Sequence, residues 1–230
     1  MKINNIFYSI QGEGIHIGRP TIFIRFAGCP FRCSYCDEPS ALTIENASDF
    51  DLSSLMHVLK KQFIERYNCY NIEYTGGSPE IQDREDMELL SLYIKENFPC
   101  SLLSMQMSGG LKISKRLWNI IDSHKIDFKE KECNIPFIID INKLTSRDEV
   151  KFVLDADGSN WQWFLEKVER FDNSNVNIIV SPKSDLHSDA YRELLNAKIL
   201  TEKIMRAGIN ANIQVLPRLQ QLYWYNEKGK

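Results

Sequence analysis

Short apolar runs alternate with longer stretches of helical spacing along this chain. Thr21–Phe26 is typical of a β-strand, and apolar side chains recur at helical spacing over residues 53–66, with Asp51 or Ser53 as N-cap. The pattern predicts further strands at Asn71–Thr75, Ser101–Met107, Pro136–Ile141, Val150–Leu154, Val176–Ser181 and Asn210–Leu216. It predicts further helices over Asp86–Asn97, Ser114–Ser123, Asn160–Phe171 and Asp189–Ala207.

This alternation of strands and helices favours parallel βαβ units. Since no linker divides the series, we expect a single domain over residues 1–230. Three segments that could form a functional site come directly after the carboxyl ends of predicted strands. They are a cysteine-rich loop, Thr75-Gly76-Gly77 and Ser108-Gly109-Gly110. Their placement favours a partial, open parallel β/α barrel over a doubly wound sheet, although sites at strand carboxyl ends occur in both.

Composition narrows the class of protein. A chain of 230 residues is long enough to bury a sizeable hydrophobic core. Its net charge is −3 and it has no block of basic residues, so its charge pattern does not indicate nucleic-acid binding. No apolar run approaches the roughly 18 residues of a membrane span, and Met1-Lys2 is not followed by the apolar segment of a signal peptide. We therefore expect a cytoplasmic protein with neither a membrane nor a nucleic-acid partner.

Three of the six cysteines stand close together, as Cys29, Cys33 and Cys36 in a CxxxCxxC pattern. In a reducing cytosol, clustered cysteines indicate metal binding or catalysis more than disulfides. Thiolates hold iron–sulfur clusters, and three on one loop leave the fourth iron of a [4Fe-4S] cluster open to a small molecule. A zinc site would need a fourth Cys or His at matching spacing, and none lies nearby. Three structural thiols are the remaining alternative.

Several other residues carry a chemical signal of their own. Arg25 inside an apolar strand needs an anionic partner, which is Glu13, Asp37 or a ligand. Gly76-Gly77 either lets the backbone approach a ligand closely or forms a plain tight turn. The scattered cysteines lie in or beside apolar segments, so we expect buried thiols at Cys69, Cys100 and Cys133.

The cysteine loop followed by Gly76-Gly77 resembles the radical S-adenosylmethionine (SAM) superfamily. Within it, Ser9-Ile10-Gln11-Gly12-Glu13-Gly14, Gly18-Arg-Pro20 and Phe23–Cys29 are similar to the 7-carboxy-7-deazaguanine synthase (QueE) family. The similarity is dense over residues 5–41. It is patchy at 75–79 and 149–154, and weak from residue 215 onward.

The resemblance implies a set of ligands and the residues that hold them. A [4Fe-4S] cluster is held by Cys29, Cys33 and Cys36. SAM is bound by Tyr35, Asp37, Gly76, Gly77 and Ser108. A pterin substrate is bound by Ile10, Gln11, Gly12, Glu13, Arg25 and Thr75, with Arg25 on its carboxylate. Mg²⁺ is expected at Glu38. Tyr35 packs on adenine or shields the cluster, and Asp37 orients SAM or caps the next turn.

The resemblance also implies an activity. Such a lyase converts 6-carboxy-5,6,7,8-tetrahydropterin to 7-carboxy-7-deazaguanine, with loss of ammonia, on the route to queuosine in tRNA. An adenosyl radical abstracts the hydrogen at C6, and SAM is regenerated in each turnover. An electron donor such as flavodoxin or ferredoxin and a homodimeric assembly are also implied.

The chain departs from the family pattern at several positions. The family usually has Thr or Ser at Glu38, Glu or Asn at Ser78, Glu at Gln106 and His at Gln220. A Ser-Pro-Lys run expected after the fourth strand is not obvious, and Asp140–Lys143 stands near its place.

These departures keep other functions open. The alternatives are a radical SAM enzyme for a different small molecule, an activating enzyme that places a glycyl radical on a protein partner, and a non-catalytic iron–sulfur module. The aromatic tail Leu222–Tyr225 is expected either to close over the substrate or to pack at a dimer face.

Overall fold

The computed structural model of this chain describes residues 1–45, 47–129, 134–183 and 189–224. Within these ranges nine strands form one sheet in the order β3-β1-β2-β4-β5-β6-β7-β8-β9. The strands are β1 (Lys2–Ile10), β2 (Pro20–Phe26), β3 (Ser48–Asp49), β4 (Asn71–Gly76), β5 (Leu102–Met107), β6 (Ser123–Asp127), β7 (Glu149–Leu154), β8 (Asn177–Pro182) and β9 (Ile213–Val215).

The sheet is parallel from β2 onward and is not closed, since β3 and β9 form its two edges. The prediction of a partial, open barrel is therefore confirmed. The first strand departs from the parallel pattern, because β1 runs antiparallel to both β2 and β3. The loop between β1 and β2 is short and carries no crossover helix, so it reverses the chain direction.

The helices mostly follow the predicted spans. They are α1 (Leu52–Val58), α2 (Glu65–Tyr67), α3 (Arg84–Asn97), α4 (Lys115–Ile120), α5 (Trp161–Val168), α6 (Ala190–Ala207) and α7 (Leu219–Tyr223). A π-helical segment, Leu59–Ile64, joins α1 to α2. Four helices begin at a side chain that accepts a backbone N–H, which offsets the unpaired donors of the first turn; these caps are Asp51, Asp83, Ser114 and Asp189.

The two faces of the sheet differ in polarity. One face is apolar and packs under the helices, with fully buried side chains that include Ile72, Tyr74, Leu103, Met105 and Phe152. The alternate positions of the same strands carry polar and charged side chains on the opposite face. That polar face, together with the loops at the carboxyl ends of the strands, builds the site.

One predicted strand is wrong. The segment predicted at Pro136–Ile141 is irregular, with Phe137 stacked on Phe128 at 4.6 Å between ring centroids. The strand in this part of the chain is β6, and the helix predicted over Ser114–Ser123 ends before it, at Ile120. The β6 sequence Ser-His-Lys-Ile-Asp is largely polar, yet its side chains are buried. Asp148 supplies a partner for the Nδ1 of His124, and Glu73 supplies one for Lys125.

Smaller differences concern the cysteines and the C-terminal region. Cys69 is buried as predicted, whereas Cys100 is exposed because it lies in the turn before β5, where Ser101 N donates to Phe98 O. Cys133 lies outside the described residues. The last strand is shorter than predicted, and α7 was not predicted. No helix within the described ranges has the length and apolarity needed to cross a membrane.

Candidate active site

A cavity of about 670 Å³ lies at the carboxyl ends of the parallel strands. Every residue that the sequence proposed for the site lines it, although their individual roles stay predictions. These residues are Ile10, Gln11, Gly12, Glu13, Arg25, Cys29, Cys33, Tyr35, Cys36, Asp37, Glu38, Thr75, Gly76, Gly77 and Ser108.

The cysteine loop follows β2. Cys29, Cys33 and Cys36 form no disulfide bonds, and each is partly exposed. The loop is held by its own backbone, since Cys29 N donates to Leu42 O at 3.1 Å and Cys36 N donates to Cys33 O at 3.2 Å. Burial raises the pKa of the Cys29 and Cys36 thiols, so binding of iron must release protons from them.

The donor set of this loop fits an iron–sulfur cluster better than a single ion. No group of three or more His, Cys, Asp or Glu side chains in the described part of the chain is placed to hold one metal ion. A [4Fe-4S] cluster instead takes its thiolates at separate irons, so its cysteines surround a larger group. Three cysteine side chains that line one cavity match that requirement.

The Gly-Gly turn after β4 supports the cysteine loop. A Cβ on Gly77 would lie 2.2 Å from Gly28 O, and Gly76 has a φ of +112°. Gly77 N donates to Phe26 O and Ser78 N donates to Gly28 O, both at 2.9 Å. Glycine is therefore required here by the approach of the cysteine-loop backbone, before any ligand is considered.

Glu80 brings a carboxylate to the cavity that the sequence analysis missed. Its Oε1 accepts hydrogen bonds from the amide and the hydroxyl of Ser108, at 2.6 and 2.8 Å. Its Oε2 accepts from the hydroxyl of Ser78 at 2.6 Å. The departure at Ser78 is thus accompanied by an acidic group two positions later, joined to the predicted SAM residue Ser108.

Glu73 is the centre of a buried polar group on the sheet. Its Oε2 accepts from Gln11 Nε2, from Lys125 Nζ at 2.5 Å and from Ser104 Oγ at 3.0 Å. The side-chain oxygen of Gln11 accepts from Glu13 N at 3.0 Å. Gln11 is therefore fixed by protein groups on both sides of its amide, which sets the face that it presents to the cavity.

Glu13 begins a chain of charges that crosses the sheet. Lys151 Nζ lies 2.9 Å from Glu13 and 3.1 Å from Asp127, and Lys129 Nζ lies 3.0 Å from Asp127. Burial opposes the charged form of each group, but the opposite charges dominate. They lower the pKa of Glu13 and Asp127 and raise the pKa of Lys151 and Lys129.

Arg25 pairs with neither of the two carboxylates that the sequence suggested. Its Nη1 lies 2.5 Å from Glu38 Oε2, and its guanidinium lies over the Phe7 ring, 4.8 Å from the centroid. Glu13 is engaged by Lys151, and Asp37 lies 3.9 Å from Arg218. The guanidinium predicted to bind the substrate carboxylate thus contacts the side chain predicted to bind magnesium.

The C-terminal segment reaches the cavity through α7. Leu219 N donates to Gly12 O at 3.0 Å, and Gln220 Nε2 donates to Glu13 Oε1 at 2.7 Å. Arg218, at the start of this segment, has its backbone N and Nε on Glu193 Oε1, at 2.9 and 3.4 Å. Trp224 lines the cavity, and Tyr225 lies outside the described residues.

A Ser-Pro-Lys run, which was not obvious after the fourth predicted strand, is present later in the chain at Ser181-Pro182-Lys183. It ends β8, and Ser181 and Pro182 line the cavity. The segment Asp140–Lys143 instead forms a 3₁₀ turn at Ile141–Lys143 and does not line it. The run therefore lies at the end of β8 and not after the segment Pro136–Ile141, which was predicted as the fourth strand.

Several cavity residues were missed because their strands look unusual for buried strands. The signal is a charged side chain at every second position, as in Lys125/Asp127 and Glu149/Lys151. The parallel register then sets Lys125 beside Glu149 and Asp127 beside Lys151. The missed charged residues are Glu73, Lys125, Asp127, Glu149 and Lys151 on strands, and Glu80, Lys129 and Arg218 outside them.

Known proteins are similar to this chain in sequence and in architecture. A family described as a 4Fe-4S single cluster domain matches residues 10–126. A 7-carboxy-7-deazaguanine synthase of Methanospirillum hungatei is 35% identical, with 79% of this chain and 72% of the relative covered. One of Pyrobaculum aerophilum is 27% identical over the whole chain and 97% of the relative. The QueE crystal structure from Escherichia coli matches with a TM-score of 0.61 and 21% identity, covering 93% of each chain. This chain therefore belongs to the 7-carboxy-7-deazaguanine synthase family of radical SAM lyases.

Proposed function

We propose that this protein converts 6-carboxy-5,6,7,8-tetrahydropterin to 7-carboxy-7-deazaguanine with release of ammonia. One observation carries the proposal. One cavity is lined by groups from separate parts of the chain: the three cysteines, the Gly-Gly turn, and the set Gln11, Glu13 and Arg25. The membership of this chain in a family of synthases supports the same assignment.

The cysteine loop would hold the cluster and the Gly-Gly turn would hold SAM, and the two groups together would supply the radical that starts the reaction. The protein supplies position and charge. Gln11 and Glu13, each fixed by buried partners, present an amide and a carboxylate to the donor and acceptor edge of a pterin. Arg25 supplies the guanidinium that binds the substrate carboxylate. Glu80 stands beside Ser108, where a carboxylate suits the ammonium group of SAM.

Magnesium does not fit Glu38 in the observed arrangement. Oxygen ligands suit Mg²⁺, but both carboxylate oxygens of Glu38 are already engaged, one by Ser40 Oγ and the other by Arg25. A cation at this point would also face the guanidinium of Arg25.

An anaerobic turnover assay tests the function. The reconstituted protein is supplied with SAM, a chemical reductant and 6-carboxytetrahydropterin, with and without Mg²⁺, and the products are followed by mass spectrometry. We expect 7-carboxy-7-deazaguanine without matching 5′-deoxyadenosine. Slow 5′-deoxyadenosine release that is independent of the pterin would show that the substrate is a different small molecule.

Other parts of the assignment stay proposals. Flavodoxin or ferredoxin as electron donor is tested by replacing the chemical reductant, and a homodimer by light scattering. A single domain is supported by the one sheet, whose strands run from Lys2 to Val215. The relatives described above are synthases, which leaves the activating enzyme and the non-catalytic module without support.

A further inference from the structure

The cavity already contains a partner for each of its cations. Five basic side chains line it, and in the described residues each lies within 4 Å of a carboxylate. The pairs are Arg25–Glu38, Lys125–Glu73, Lys129–Asp127, Lys151–Glu13 and Arg218–Glu193. An anionic substrate group must therefore compete with a carboxylate of the protein for any of these cations.

The Arg25–Glu38 pair is the one most open to such competition. Its side chains are 22% and 28% exposed, whereas Lys125 and Glu73 are only 6% and 5% exposed. Glu73 and Asp127 belong to strands of the sheet, which fix their carboxylates. Glu38 belongs to the cysteine loop and immediately precedes a 3₁₀ turn, Pro39–Ala41. Its carboxylate is free to leave Arg25 without disturbing the sheet.

The guanidinium would stay in place after Glu38 leaves. Arg25 belongs to β2, between β1 and β4, and its guanidinium rests over Phe7. A planar guanidinium fixed in this way offers a bidentate fork to another carboxylate. The same position can thus accept the carboxylate of Glu38 or that of a ligand.

We propose that Glu38 is an internal competitor for the substrate carboxylate, which binds Arg25 by displacing the Glu38 side chain. This inference rests on the proposed function, because it takes the ligand to be a carboxylated pterin. Glu38 then lowers the affinity for every ligand that carries a carboxylate at this position, and it leaves ligands without one unaffected. It is a specificity-determining residue, since it reduces the advantage that a carboxylated pterin has over a plain pterin.

Equilibrium binding to the reconstituted protein in the presence of SAM tests this, measured once with EDTA and once with excess Mg²⁺ in its place. The probes are 6-carboxypterin and pterin, which differ only in the carboxylate, and benzoate, a carboxylate without the pterin ring. The variant is Glu38→Gln, and the control is Glu45→Gln, which removes the same charge from an exposed position of the following segment. Ser40→Ala is a second variant, because it removes the other contact that holds Glu38.

We expect Glu38→Gln to bind 6-carboxypterin about tenfold more tightly than the parent protein. Pterin affinity should be unchanged, and Glu45→Gln should match the parent for both. Ser40→Ala should tighten 6-carboxypterin binding by a smaller factor. Benzoate should stabilise Glu38→Gln against thermal unfolding more than it stabilises the parent.

Other outcomes overturn the inference. Weaker binding of 6-carboxypterin to Glu38→Gln would show that Glu38 positions Arg25. A Mg²⁺-dependent gain in affinity that Glu38→Gln abolishes would show that Glu38 is a metal ligand. If neither the parent nor any variant binds either pterin, the proposed function fails. The benzoate measurement then tests displacement by itself, and equal stabilisation of the parent and Glu38→Gln by benzoate would reject it.

Discussion

Lys151 on β7 lies 2.9 Å from the carboxylate of Glu13, a residue 138 positions earlier in the chain. The same ammonium group lies 3.1 Å from Asp127 on the neighbouring strand. Lys151 therefore joins the loop after β1 to the middle of the sheet and fixes the carboxylate that faces the pterin in our proposal. Because all three groups are largely buried, each depends on the others for its charge.

Lys151→Met should destabilise the protein strongly. It leaves the carboxylates of Glu13 and Asp127 buried without their shared cation, and breaking a buried pair from one side costs about 3 kcal/mol or more. Denaturant unfolding of the parent and the variant measures the difference. Lys198→Met is the matched control, because Lys198 is 71% exposed, and we expect it to change stability by less than about 0.5 kcal/mol. Equal stabilities for parent and Lys151→Met would contradict the buried network.

Cys29→Ala should abolish both the iron content and the activity of the reconstituted protein. A cluster held by three thiolates cannot keep its geometry on two. Iron and sulfide analysis together with the turnover assay measure this. Cys69→Ala and Cys100→Ala are controls, one buried and one exposed, and both should keep full iron. Retained iron and turnover in Cys29→Ala would reject the cluster assignment.

Glu80→Gln should weaken SAM binding about tenfold, since the change removes the charge that faces the ammonium group of SAM in our proposal. Calorimetry on the anaerobic, reconstituted protein measures the affinity. Ser108→Ala should have a smaller effect, because the Ser108 amide still donates to Glu80. The control is Glu85→Gln, an exposed carboxylate on α3. Unchanged affinity in Glu80→Gln would place the ammonium group elsewhere.

His16 should make the protein less stable as the pH falls. Burial first, and then the charges of Lys125 and Arg19, lower the pKa of His16 from 6.5 to about 4, and its Nδ1 is buried without a partner. Below pH 6.5 the unfolded chain binds a proton that the folded protein rejects, so stability falls between about pH 6.5 and 4. Urea unfolding across this range should show a shallower decline for His16→Gln. Parallel declines in the two proteins would exclude the effect.

Much of the site could be predicted from local sequence because the residues within each of its motifs are close together in the chain. The three cysteines lie within eight positions, and Gln11 and Glu13 share one loop. The starts of the helices also depend on nearby residues, since caps such as Asp83 and Ser114 contact the first turn of their own helix. These features depend on neighbours along the chain, which the sequence displays directly.

The polar strands were harder to predict. β6 was missed because a buried strand with His, Lys and Asp is stable only when other strands supply partners, as Glu73 does for Lys125. The protein partner of Arg25 was also not predicted, since the sequence suggested Glu13 or Asp37 whereas the cysteine loop brings Glu38 back to β2. Cys100 was placed inside because its apolar neighbours are visible in sequence and its turn is not.

The sequence by itself determined the open parallel barrel, the cysteine loop and the family, because all three follow from patterns within short segments. Only the tertiary structure decided the pairing of charges in the cavity. Glu13 meets Lys151, Glu73 meets Lys125 and Arg25 meets Glu38. Such pairs depend on strand register and loop path, and the low dielectric of the interior makes their energies depend on distances that no sequence pattern records.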